Sequence, residues 1–184
     1  MKTSLIFCAL LTASPALAQT ADPFTDGKDG AKIHTASGFI CPAKIGPFER
    51  DAASESDVLT GADLCSYAAL DGVYGTITLT PLTGPYDAKA ALAPAFTEQE
   101  GTGGTMISET TITLGAKTAP LAVFARTYRT AHAESLEYRT LFAGAQVKNW
   151  AVQATVEYAD PRDTATEKDF LNAVYADAQK EIAQ

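Results

Sequence analysis

Residues able to do covalent or metal chemistry are sparse in this chain. It has three cysteines and two histidines. Two cysteines bracket the stretch GFICPAKIGPFERDAASESDVLTGADLCSY, residues 38–67, as Cys41 and Cys65. Three roles fit a cysteine pair: a redox couple, part of a metal site, or a structural bridge. No Cys-x-x-Cys spacing lowers a thiol pKa toward exchange chemistry. Zinc centres need four soft or imidazole ligands, or three and a water, and Cys41, Cys65, His34 and His132 fall in no such spacing. A serine or cysteine nucleophile needs a histidine base held beside it. His34 lies in a stretch expected to be a flexible leader and His132 at an expected hairpin tip, and there is no Gly-x-Ser-x-Gly elbow. The 22 carboxylates allow acid–base pairs in many places, which singles out none. The sequence therefore predicts no catalytic residue, no metal and no cofactor.

One polar cluster stands apart. RTYRTAHAESLEYRTLF, residues 126–142, gathers Arg126, Tyr128, Arg129, Tyr138 and Arg139. Guanidinium groups beside phenol rings suit a carboxylate or phosphate ligand, or the acidic surface of a protein partner. The plainer account has these arginines covering a sheet and pairing with Glu134 and Glu137. Phosphate loops are not indicated elsewhere: GTGG, residues 101–104, follows a helix instead of preceding one and has no Lys-Ser/Thr partner.

The elements that must position these residues read mostly as strands. CSYAALDGVYGTITLT, residues 65–80, places Asp71-Gly72 between two extended runs, a strong hairpin signal. In the second run Val73, Ile77 and Leu79 alternate against Tyr74, Thr76, Thr78 and Thr80, and Pro81 ends the ladder. PYDAKAALAPAFTEQEG, residues 85–101, predicts a helix capped by Asp87, closed by Gly101 and kinked or divided at Pro94. Strands follow over Ile107–Leu114, Leu121–Thr130, Ser135–Phe142 and Val147–Tyr158. In the last, Trp150, Val152, Ala154, Val156 and Tyr158 form one apolar face. A hairpin turning near Ala133 would set Tyr128 opposite Tyr138, Arg129 opposite Glu137 and Phe124 opposite Phe142. DTATEKDFLNAVYADAQKEIAQ, residues 163–184, predicts an amphipathic helix with a Thr164–Glu167 capping box.

The N-terminal MKTSLIFCALLTASPALA, residues 1–18, has one early cation, a short apolar run and a small-residue stop. That is the layout of a secretory signal peptide cleaved after Ala18. Residues 19–35 read as a flexible leader, and 36–184 as a single domain with no transmembrane segment in the mature chain. Removing Lys2 leaves 13 basic against 22 acidic residues. That balance argues against nucleic-acid and anionic-membrane partners, which need clustered cations. Export to the periplasm or beyond places Cys41 and Cys65 in an oxidising compartment, where an even pair bonds.

An initial strand, a hairpin ending VYGTITLTPL, a helix, strands ending VKNWAVQATVEY and a closing amphipathic helix follow one another in this order. That order resembles the PsbP-like fold, an antiparallel β-sheet flanked by helices in an α/β/α sandwich. The resemblance implies an α+β class and a non-catalytic role in binding or assembly, with a possible envelope protein as partner. Two other functions compete with it: an envelope hydrolase using carboxylates, and a small-ligand carrier with a pocket between sheet and helices.

Overall fold

A computed structural model describes residues 22–182 apart from 58, 71–72, 116–119, 134–135, 161, 164, 177, 179 and 181. Residues 1–18, read from the sequence as a signal peptide, Asp71-Gly72, Glu134 and the Thr164 cap lie outside the described residues. The chain is an α+β structure dominated by antiparallel sheet, with a Cys41–Cys65 disulfide.

The strands in chain order are β1 (Phe24–Asp26), β2 (Lys32–His34), β3 (Ile40–Cys41), β4 (Lys44–Ile45), β5 (Phe48–Asp57), β6 (Ala62–Ala68), β7 (Tyr74–Pro81), β8 (Thr105–Leu114), β9 (Leu121–Ala133), β10 (Leu136–Val147) and β11 (Trp150–Asp160). Helix α1 (Ala88–Gly101) joins β7 to β8, and α2 (Ala165–Leu171) follows β11 and runs into a π-helical turn, Asn172–Ala176. β1–β2–β3 form a small sheet, and the other eight strands a large one in the order β4-β5-β6-β7-β11-β10-β9-β8. The chain thus meanders from β4 to β7, crosses by α1 to the far edge, and meanders back until β11 pairs with β7.

Period-two patterning sets the large sheet. Along β7, Ile77 and Leu79 are buried while Thr76, Thr78 and Thr80 are half-exposed, and Pro81 is the last paired residue. Along β11, Trp150, Val152, Ala154, Val156 and Tyr158 are all buried, as their alternation predicts. Fully burying one large apolar side chain contributes about 1.5–3 kcal/mol, so this single face anchors the main core. Phe170, Leu171, Val174 and Tyr175 of α2 and its π-helical turn pack into the same core. There Phe170 meets Phe48 and Tyr67 edge to face, with centroids 5.7 and 5.8 Å apart. Gly75 of β7 makes room for that ring: a Cβ there would stand 2.6 Å from the Phe170 edge.

Helix α1 packs on the other face through Leu92 and Phe96, which meet Tyr128 and Phe142. Its cap is the expected one, with Asp87 accepting from the Ala90 amide at 3.1 Å. The helix is not divided at Pro94, because the proline lies on the exposed side, where water can take the freed carbonyl. Gly101 is its last residue, as expected, and Gly103 at φ +93 turns the chain.

The leader expectation is corrected for residues 24–34, which form β1, a 3-10 turn at Lys28–Gly30, and β2. Phe24, Phe39 and Cys41 bury themselves in the main core. The β9–β10 register is also corrected. Tyr128 faces Thr140, Phe124 faces Gly144 and Arg126 faces Phe142, two residues from the expected pairing. Both registers put the same faces inward, since a two-residue slip preserves the alternation. The difference arises at the turn: Leu136 faces Ala133, three residues off the expected register, and skipping Thr130 as the register shifts between Tyr138 and Arg139 brings that back to two. β10 also runs on to Val147, and a tight turn at Lys148 (φ 54) and Asn149 leads into β11.

Candidate functional site

The five residues expected to form one ligand-binding cluster are divided between the two faces of the sheet. Arg126 and Tyr128 project toward α1. The Arg126 guanidinium lies over the Phe96 ring, 3.9 Å from its centroid. It donates to Glu109 Oε2 through Nε at 2.9 Å, again through Nη2, and through Nη1 to the Tyr128 hydroxyl at 3.0 Å. Tyr128 donates in turn to Glu100 Oε1 at 2.7 Å, and Lys89 Nζ donates to Glu109 Oε1 at 2.7 Å. Hydrogen bonds from Lys89 and Arg126 hold the Glu109 carboxyl below the ordinary range. This network fastens α1 across β8 and β9. Its arginine is already occupied by the chain's own carboxylates.

Arg139 projects the other way, toward α2. Its Nε donates to Glu137 at 2.8 Å, and its Nη2 pairs with Asp160 at 2.7 Å. Arg129 also pairs with Glu137, at 3.5 Å, although the two are not opposite one another. Tyr138 is half-buried at the margin of the main core. The plainer account of these arginines holds for Arg129 and Arg139, which share Glu137, while Arg126 pairs with Glu109 and Arg139 also with Asp160, acceptors that chain proximity did not suggest.

Two side-chain groups went unforeseen. The first is a Ser–His–Asp chain. His34 Nδ1 is 2.7 Å from Ser37 Oγ, and Nε2 is 2.7 Å from Asp63 Oδ2. His34 and Ser37 are completely buried, with the imidazole against Phe24 and edge-on to Trp150. Ser37 Oγ also accepts from the Phe39 amide at 3.1 Å. With its serine sealed in and already bonded on two sides, the trio serves as a clasp between the small sheet and β6. The second is Glu157, on the α1 side of β11, where Thr140 faces it from β10. Burial raises its pKa, opposed by a bond from Thr140 at 3.4 Å.

The concave surface lies on the α2 side. One cavity of about 290 Å³ is bounded by Phe48, Leu70, Val73, Tyr158, Arg162 and Thr166. A second, of about 250 Å³, is bounded by Leu114, Arg139, Tyr158, Glu167, Lys168 and Leu171. Tyr158 is the wall they share. Its hydroxyl donates to Glu167 at 2.5 Å, and burial, reinforced by that carboxylate, raises its pKa so that it stays a phenol. Leu70 is 89% exposed and separates the first cavity from a wider dish of about 670 Å³ over β5, lined by Lys44, Glu49, Arg50 and Asp51. Period-two reading assigns each strand's faces but not which loops converge, so neither cavity was legible in the sequence.

Among the described residues, no group of three or more His, Cys, Asp or Glu side chains is placed to hold a metal ion. No helix among them is long and apolar enough to cross a membrane. Comparison with known proteins finds no family model that matches the chain and no curated relative.

Proposed function

We propose that this protein is a secreted or periplasmic binding or accessory module of PsbP-like architecture, without covalent chemistry of its own. Its binding surface is the concavity around Leu70 beside the start of α2. The observation that carries this reading is Leu70 itself: a large apolar side chain, 89% exposed, standing between two cavities. Exposed apolar groups rimmed by polar ones mark contact sites, and a cavity with an apolar floor takes a partner's anchoring side chain. Phe48 and Val73 supply that floor, while Arg162 and Asp163 supply a polar rim. Placement of α1 and α2 on opposite faces of an antiparallel sheet supports the architecture. The disulfide is compatible with an oxidising compartment.

The test is cross-linking capture from the native envelope with wild-type protein and Leu70→Asp. The substitution should leave stability within about 0.5 kcal/mol, as for other surface changes, while abolishing recovery of the captured partner. Recovery of the same partner by both proteins would overturn the assignment of the site.

A second reading has one observation of its own. Glu157, held toward its protonated form by burial, has the character of a general acid, as a carboxylate hydrolase would require. Glycosidase or esterase activity that disappears in Glu157→Gln, with the fold unchanged, would favour it.

A further inference from the structure

The large sheet ends very differently at its two edges. At one, the two-residue β4 pairs only with Phe48 and Glu49 of β5, and the rest of β5 carries Arg50, Asp51 and Asp57 and two register shifts. At the other, β8 is a ten-residue strand, TMISETTITL, hydrogen-bonded on one side only, to β9. Among the described residues nothing pairs with its outer side. Edge strands are normally guarded by shortness, proline, outward charge or bulges. β8 has no proline, and its one ionisable residue, Glu109, is turned to Lys89 and Arg126 instead of standing guard. One guard remains, a register shift between Met106 and Ser108, which leaves Ser108–Leu114 as an uninterrupted run.

We propose that this run pairs antiparallel with the same run of a second copy of this chain, about a two-fold axis at Thr111. The result is an isologous dimer with one sheet continuous through both copies. The axis position follows from the run itself. Centred on Thr111, the ladder uses the whole of Ser108–Leu114: Ser108 faces Leu114, Glu109 faces Thr113, Thr110 faces Ile112, and Thr111 faces its own copy. Face alternation is preserved in every pair, and threonine opposite threonine is a favourable cross-strand match. Centring on Thr110 would drive the ladder into the irregularity at Ile107, and centring on Glu109 would set two carboxylates opposite one another. The side chains impose little obstruction, since Ser108, Glu109, Thr110, Thr111 and Thr113 are all exposed. The pairing satisfies the free backbone donors and acceptors of the strand without moving any buried group.

The experiment uses protein purified from cells expressing the full chain. Sedimentation equilibrium over a wide concentration range should show mass rising to twice the monomer value. Thr111→Lys, placing two ammonium groups at the axis, should weaken association at least tenfold, with an unchanged melting temperature at concentrations where both proteins are monomeric. Thr111→Cys should form an intermolecular disulfide under mild oxidant. Thr113→Cys should not, because its two copies would sit about 13 Å apart along the ladder. A monomer at every concentration would overturn the proposal, as it would if the edge served a different extended chain. Equal cross-linking of the two cysteine variants would overturn it as well.

Discussion

At the residue scale, His34 and the two bridging cysteines illustrate what a linear sequence discloses. On the expectation that residues 1–18 leave as a signal peptide, Cys41 and Cys65 have one pairing, so their bond could be read directly. His34 depends on Asp63, 29 residues away, and on a fold that closes over both. Nothing near His34 announces that partner, and its polar neighbours suggest a loop. Replacing His34 with leucine strands a buried serine hydroxyl and a largely buried carboxylate, and a buried polar group without a partner costs about 1–3 kcal/mol. A fall of that size in unfolding free energy, measured by urea titration, is the expected outcome. Glu157 gives a prediction of opposite sign. Its folded-state pKa is raised by burial, so its contribution is fully present below the ordinary glutamate pKa and is lost as pH rises through the folded value. Glu157→Gln should therefore raise the melting temperature at pH 7, and the gain should vanish below about pH 4. A variant equally stabilised at both pH values would contradict this account.

At the element scale, strand alternation was the most legible feature. It rests on burial of one face, which the sequence of β7 and β11 states residue by residue. Register was less legible, because both the expected and the observed β9–β10 pairings bury the same side chains and differ only in where the hairpin turns and in the one-residue irregularity at Thr130. The Arg/Tyr cluster was misjudged for a related reason. Residues adjacent in a hairpin are adjacent in space only if they share a face, and Arg126 and Arg139 do not. The continuity of α1 through Pro94 likewise depends on which side of the helix meets water. Gly75 offers a test of the contact between layers. Gly75→Ala would press a methyl group into the Phe170 ring, and overpacking of this kind costs typically about 1–3 kcal/mol. Thermal unfolding of that variant measures it directly. An unchanged melting temperature would mean that α2 yields freely.

At the scale of the whole molecule, the small sheet is the main departure from sequence-based expectation. Its strands are two or three residues long, too short for period-two patterning to register. Tertiary ties hold it: the Cys41–Cys65 bond, the His34–Asp63 bond, and Arg50, which donates to Cys41 O at 2.8 Å and Gly30 O at 2.6 Å. The intervening loop also packs better than its polar composition suggests, since Ile45 and Phe48 are core residues. Replacing both cysteines with serine should cost roughly 3 kcal/mol on the chain-entropy account, seen as a lower denaturant midpoint. An unchanged midpoint would mean that the noncovalent ties suffice.

Asp63 and Cys65 are alternate residues of β6, so the histidine bond and the disulfide attach to the same side of an interior strand. This has a mechanical consequence. Tension applied from the N-terminal side of β1 first loads the short β1–β2 pairing, and whatever passes beyond it is delivered through His34 and Cys41 to an interior strand of the large sheet instead of its rim. With the disulfide intact, the chain between residues 41 and 65 cannot lengthen under load. The small sheet is thus moored to the interior of the domain by one covalent and one noncovalent tie.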